Sequence, residues 1–343
     1  VTLRRLWRDY RPRTLRLTPP AGYTLVLAAV FVAIYILLIE AVLRVPAVQS
    51  RLPAPSVRTQ HIDFEIKLQR LREMGSVDCV FLGTSIVDRG LSPADFEQAY
   101  QAAAGQPITC FNFGVDGAGE YTGVLLAQYV TRVVQPRLLV FGVSPRLGNS
   151  WDEGSLAWLP WLKYQQGQFS LHGWLAEHSR LYGYSRPLVN AFFNTLSGDR
   201  RAYLDRMILA NGFYPTDERI TFPIPSGDRG RLERSNYAIS EAWLSRLDEM
   251  LAFHRPPQTR VVIVEMPVHP VALEGRDDRL SDYADSMAAI GARAEAKGVP
   301  FFATNHLGAL AADENWADFN HLNATGARIL SRWLGERLAN WEW

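Results

Sequence analysis

The run Cys79-Val80-Phe81-Leu82-Gly83-Thr84-Ser85 decides how this chain is read. Four apolar residues form a strand, which then passes through a glycine and a threonine to a serine. A strand that delivers a serine into a turn exposes a hydroxyl at the edge of a sheet. That hydroxyl is a weak nucleophile until a general base takes its proton. Far downstream, Asp318-Phe319-Asn320-His321 sets a carboxylate three residues ahead of an imidazole. Asp318 would fix the tautomer of His321, and His321 would take the proton of Ser85. Only a fold can unite residues so far apart.

Outward from this run, strands and helices alternate. Residues 77–82 read as the first strand. Ser92 as N-cap and Pro93 at the first helical position open a helix that reaches Ala104. Residues 108–113 form a second strand, followed by Gly114-Val115-Asp116-Gly117-Ala118-Gly119 and a helix over 120–134. A third strand covers 137–143. Regularity then lapses over about 145–235, a stretch holding Trp151, Trp158, Trp161 and Trp174, read as an insertion with short helices. The pattern resumes with a helix over 237–253, a strand over 260–265, a helix over 280–297, a short strand over 299–303 and a last helix over 324–339, with Asn323 as N-cap. Nearly all-apolar strands separated by helices predict an α/β fold, a parallel sheet covered on both faces. Ligands of such sheets bind at the C-terminal strand ends. Ser85, Gly114 to Gly119, Ser144 to Asn149 and the Asp318–His321 loop all fall there.

At 343 residues the chain holds one large domain, or a domain with appendages, and a 48% apolar content supplies an ample core. A net charge of +1 gives no bulk electrostatic reason for a nucleic-acid partner. Locally the charge is uneven. Arg4, Arg5, Arg8, Arg11, Arg13 and Arg16 stand against Asp9 alone, and residues 21–39 then carry no charge. About 20 apolar residues cross a bilayer as a helix, and the basic flank stays in the cytoplasm. The expected organisation is a basic cytoplasmic segment over 1–20, a membrane-spanning helix over 21–43 (with Glu40 tolerated) and a stalk over 44–75. An extracytoplasmic domain follows over 76–343. The rival is a cleaved signal peptide, which a long apolar run without a clean small-x-small site disfavours. The stalk is broken by Pro46, Pro53 and Pro55, and then shows helical spacing at Ile62, Ile66, Leu68 and Leu71. Cys79 and Cys110 read as buried strand thiols, with a disulfide open if their strands are neighbours. No Cys-x-x-Cys spacing points to a metal, and no cofactor is called for.

Gly83-Thr84-Ser85, Asn112-Phe113-Gly114-Val115-Asp116-Gly117 and Asp318-Phe319-Asn320-His321 together resemble the SGNH (GDSL-like) hydrolase superfamily over about 76–339. The resemblance implies a flavodoxin-like three-layer fold, with Ser85 as nucleophile, His321 as base and Asp318 as orienter. It implies an oxyanion hole from the N–H groups of Ser85 and a glycine of the second block, Gly117 first and Gly114 second. It departs in the third block. The family's Gly-x-Asn-Asp is replaced by Gly142-Val143-Ser144-Pro145-Arg146-Leu147-Gly148-Asn149, where Ser144, Arg146 or Asn149 is left to substitute for the missing donor.

Thr84, Asn112 and His269 complete the candidate pocket, His269 being either a pocket residue or a satisfied loop histidine. Arg89 and Arg146 are candidates for holding an anionic substrate group. The layout of anchor and domain resembles members that work beside membrane-bound O-acyltransferases on cell-surface polymers. It implies an O-acyl esterase or acyltransferase acting on a surface glycan or lipid. The alternative is a silent SGNH-fold anchor or assembly subunit of a membrane complex. A third reading, a secreted lipase, requires loss of the apolar segment.

Overall fold

The computed structural model describes residues 20–49, 51–52, 62–117, 120–145, 160–185, 203–233, 235, 237–274, 277–304 and 306–341. Its centre is a five-stranded sheet: β1 (Cys79–Gly83), β2 (Cys110–Gly114), β3 (Leu138–Val143), β4 (Arg260–Glu265) and β5 (Phe301–Phe302). The order is β2-β1-β3-β4-β5, and every pairing is parallel. This is the flavodoxin-like order, whose switch point lies between β1 and β3. The chain leaves β1 toward β2 on one side and returns to β3 on the other, so connections diverge there and a crevice opens at the C-terminal ends.

Strand side chains alternate between two cores. Val80, Leu82, Phe111, Phe113, Leu139, Phe141, Val261 and Ile263 pack with α6 (Glu120–Val133) and the helices Glu241–Leu251 and Asp277–Ala296. Cys79, Phe81, Cys110, Leu138, Val140, Val262 and Val264 pack with α5 (Pro93–Ala104) and the C-terminal helix Ala324–Ala339. Three layers result, as the sequence predicts. The caps also behave as read. Ser92 accepts the N–H of Asp95 at the start of α5, and Asn323 accepts those of Thr325 and Gly326. Cys79 and Cys110 are register neighbours, both buried and both free. Burial pushes the Cys110 thiol well up.

One expectation is overturned. The second half of the stalk is not a stalk: α3 (Ile62–Met74) is part of the globular core. Phe64, Leu68 and Leu71 form one apolar stripe at helical spacing and find the sheet face. The Phe64 ring stacks on that of Phe113 at 5.6 Å. Asp63 and Glu65 in its first turn and Arg72 in its last suit the helix dipole.

Upstream lies α1 (Pro20–Leu43), 24 residues and ~36 Å long. Its span Gly22–Leu43 is long and apolar enough to cross a membrane, and among the described residues it is exposed up to Leu38, with Leu43 buried at its end. Glu40 is the one acid in this helix. Its carboxylate accepts the N–H groups of Arg180 (2.7 Å) and Leu181 (2.9 Å) and the hydroxyl of Ser179 (3.0 Å). The end of α1 thereby caps a helix of the insertion, which is why a carboxylate is tolerated there.

The insertion divides between core and cover. Trp161 is fully buried, donates its indole N–H to Glu177 (2.6 Å) and packs on Phe64 and Tyr129. Trp174 stays 42% exposed. Trp151 and Trp158 lie outside the described residues. Residues 211–220 form a strap across the strand ends. Asn211 C=O accepts Asn112 N–H on the edge strand β2, and Tyr214 N–H donates to Asp88 C=O. Thr216 C=O accepts Ala324 N–H, and Ile220 N–H donates to Trp316 C=O.

Candidate active site

The strand β1 runs straight into α4 (Ser85–Gly90), with Thr84 as its N-cap. Three glycines let this short helix sit directly on the sheet. A Cβ on Gly83 would lie 2.4 Å from Val87 Cγ2, and one on Gly142 would lie 2.3 Å from it. A Cβ on Gly114 would lie 2.3 Å from Asp88 N. Ser85 is thus fixed at the helix start, half-exposed, over the switch point.

The Asp318–His321 turn meets it. The turn is closed by Ala317 N–H donating to His321 C=O (2.8 Å) and by a bridge between Trp316 and Leu322. Asp318 Oδ1 accepts the N–H groups of Asn320 (2.8 Å) and His321 (2.9 Å). His321 Nδ1 stands 2.9 Å from Asp318 Oδ2, and Nε2 stands 2.8 Å from Ser85 Oγ. An ionised carboxylate only accepts, so Nδ1 carries the proton and the Nε2 lone pair accepts the Ser85 hydroxyl. Burial alone would raise the Asp318 pKa. The hydrogen bond and charge of His321, with the two backbone N–H groups, outweigh it and hold the carboxyl well below the usual range. The carboxylate is therefore present at any pH at which the imidazole can act as a base.

The other expected site residues divide. The Gly114 N–H donates to Asn112 Oδ1 (2.8 Å), so it is not available to an oxyanion. Gly114 serves packing instead. Gly117 sits three residues past the end of β2 as a positive-φ glycine (69°), and it is exposed. Asn112 does not line a pocket. It is fully buried and its amide donates to the carbonyls of Val87 (2.7 Å) and Leu91 (2.7 Å), satisfying the end of α4.

Thr84 is likewise buried, and its carbonyl accepts from Val87 and Asp88. Ser144 is buried at the end of β3, and Arg146 and Asn149 lie outside the described residues. His269 is a satisfied loop histidine. Its Nδ1 accepts Val271 N–H (3.2 Å), its Nε2 reaches Asp313 (3.0 Å), and its ring meets Trp316 edge-on. Arg89 lies one turn beyond Ser85, with its guanidinium 3.5 Å from Asp116 and over the Tyr214 ring.

Sequence reading missed a buried ionic group under the site. Lys67 of α3 is fully buried, with Nζ 2.5 Å from Asp88 Oδ1 and 2.6 Å from Gly114 C=O. Asp63, one turn earlier, accepts Asp116 N–H at 2.9 Å. Burial pushes the Asp88 carboxyl up to about 6 against the opposing charge of Lys67. A lysine on the apolar stripe of a helix was the available signal.

No protein-family model and no curated protein matches the sequence. Among solved structures, the chain is similar to BT4096, a gut microbial diltiazem-metabolizing enzyme, at 14% identity and a TM-score of 0.38. That match takes in 76% of this chain and 47% of the other, so the chain spans about half of that protein's length. It is also similar to a "putative GDSL-like lipase" from Parabacteroides merdae at 12% identity and a TM-score of 0.34, over 77% of this chain and 97% of the other. At these scores neither likeness bears on the argument; the fold rests on strand order and register.

Proposed function

We propose that this chain is a membrane-anchored serine esterase or O-acyltransferase of SGNH type, working outside the cytoplasm on acyl groups of a surface glycan or lipid. The observation that carries the reading is the line of two hydrogen bonds from Ser85 Oγ through His321 to Asp318, 2.8 Å and 2.9 Å long. Ser85 Oγ attacks the acyl carbonyl as its proton passes to His321 Nε2. The oxyanion is held by the N–H groups of Ser85 and Gly117. The tetrahedral adduct collapses, its C–O bond breaks, and the leaving alkoxide takes the proton from His321. Water or a polymer hydroxyl then gives its proton to His321, attacks the acyl-enzyme and releases Ser85. Hydrolysis and transfer differ only in that last acceptor.

Anchoring is supported by the apolar span Gly22–Leu43, which is long enough to cross a membrane and largely exposed among the described residues. The arginines that precede it favour a cytoplasmic N-terminal side, with the domain over 62–341 on the other. A membrane-embedded acyltransferase that hands over the acyl group is the partner this arrangement suits. A silent scaffold would gain nothing from an aligned hydroxyl, imidazole and carboxylate.

The test is labelling of the detergent-solubilised full chain with a fluorophosphonate, beside Ser85→Ala. Labelling of the wild type that vanishes in the variant is expected. A folded wild type that never labels, and whose ester hydrolysis survives Ser85→Ala, would sink the proposal.

A further inference from the structure

We infer that Asp63 and Lys67 of α3 are positioning residues that lock the Gly114–Gly117 loop against the helix bearing Ser85. The inference rests on the reading of Ser85 as nucleophile and deepens it, because it says what sets the oxyanion donors.

The loop leaves β2 beside the start of α4, and its backbone groups are engaged one after another. Gly114 N–H goes to Asn112, and Gly114 C=O accepts from Lys67 Nζ at 2.6 Å. Val115 N–H donates to Gly83 C=O at 3.1 Å. Asp116 N–H donates to Asp63 Oδ2 at 2.9 Å. The next N–H along the chain belongs to Gly117, whose φ of 69° turns the backbone sharply there. Each preceding N–H is thus consumed, and the register of the turn decides where the N–H of Gly117 points.

Lys67 ties the same loop to the nucleophile. Its ammonium bridges Gly114 C=O and the carboxylate of Asp88, and Asp88 follows Ser85 by three residues on the buried side of α4. From outside, Arg89 of α4 reaches Asp116 at 3.5 Å. The two parts of the oxyanion hole, the N–H of Ser85 and the glycine loop, come from separate βα units. Asp63 and Lys67, four residues apart on one helix, both hold the loop, and Lys67 also holds α4 through Asp88.

A purely structural role would be served as well by apolar residues of similar volume, since buried ion pairs seldom add stability. The distinguishing feature of the alternative adopted here is that charge and acceptor positions are aimed at backbone groups of the loop. Asp63→Leu removes the acceptor for Asp116 N–H, and Asp63→Asn keeps a side-chain oxygen at the same reach. Lys67→Met with Asp88→Leu removes both members of the ion pair together.

The experiment compares kcat and KM for p-nitrophenyl acetate, with thermal unfolding, in the full-length protein in detergent. Asp63→Leu is expected to lower kcat by about 10–100-fold with KM within about twofold, as for an impaired oxyanion donor. Asp63→Asn is expected to restore most of it, and the double variant to fold with a similar loss of kcat. If folded Asp63→Leu and the double variant keep wild-type kcat, or if asparagine fails to restore it, the inference is overturned. It is equally overturned if neither variant folds, because the residues would then be structural alone. Failure of the Ser85 reading looks different. Hydrolysis would survive Ser85→Ala before any α3 variant is made, and the inference would fall with it.

Discussion

Gly114→Ala tests whether α4 is a rigid mount for Ser85. The added Cβ would stand 2.3 Å from Asp88 N, 2.8 Å from Asp88 Cα and 3.0 Å from Thr84 O. All three are backbone atoms of α4 or its cap, so no side chain can swing aside. Ordinary contact begins at 3.4 Å, and relief therefore needs a separation of about 1 Å between β2 and α4. Either the helix moves and stretches the 2.8 Å bond from Ser85 to His321, or the loop moves and takes Gly117 with it. A misplacement of about 1 Å costs roughly 10²-fold in rate, beside an overpacking cost of about 1–3 kcal/mol.

The assay is the rate of fluorophosphonate labelling at fixed probe concentration, with thermal unfolding in parallel. Gly105→Ala is the control. Gly105 has a φ of 70°, caps the far end of α5, and its added Cβ meets nothing within 4 Å. It should cost about 1–2 kcal/mol through the left-handed backbone and leave the labelling rate alone. A folded Gly114→Ala that labels within about threefold of wild type would refute the reasoning, since the sheet would have absorbed the clash without disturbing the site.

Two further outcomes follow from the carboxylates. Asp318→Asn should lower kcat by about 10²–10⁴-fold with little change in KM, measured on the same ester, because the imidazole loses its orienter. The wild-type Asp318 carboxyl is held below its ordinary range. Its contribution to stability is therefore complete above about pH 4 and is lost as the pH falls toward the folded value; acid titration of unfolding should be shallower in Asp318→Asn, and equal slopes would count against the pairing. Glu40→Ala should remove the cap from the helix that begins at Arg180, costing about 0.5–2 kcal/mol; amide exchange at Arg180 and Leu181 in lipid nanodiscs should quicken by about 3–30-fold while the sheet amides hold.

The parts legible in the sequence are those with a short period. β4 falls on the expected residues because Arg260-Val261-Val262-Ile263-Val264-Glu265 is an apolar run bounded by charge. The C-terminal helix falls on its expected residues because Asn323 caps it and an apolar stripe continues to Leu338. Ser85, Asp318 and His321 were legible as residue types at strand ends. Their meeting was not, because it depends on register between β1 and a turn more than 230 residues away. The roles of Gly114 and Asn112 misled for the same reason: a motif gives a residue's place in the chain, and only packing tells whether its N–H faces the ligand or a neighbouring amide.

The error over α3 has a different physical source. Prolines at positions 46, 53 and 55 suggested a stalk over 44–75, although Ile62, Ile66, Leu68 and Leu71 show helical spacing with charges between them. Charge on a helix is a sign of solvent only when no counter-charge waits in the fold. Here Asp63 meets a backbone N–H, and Lys67 meets Asp88 and a strand-end carbonyl, so both are buried beside Phe64 and Leu68. The helix α3 is therefore one that touches both the helix bearing Ser85 and the glycine loop. A purified domain cut at Ser76, where the sequence alone would place its start, would lose those contacts. Such a fragment should fold poorly or label slowly even with Ser85, His321 and Asp318 intact, whereas one beginning before Asp63 should label at the full-length rate.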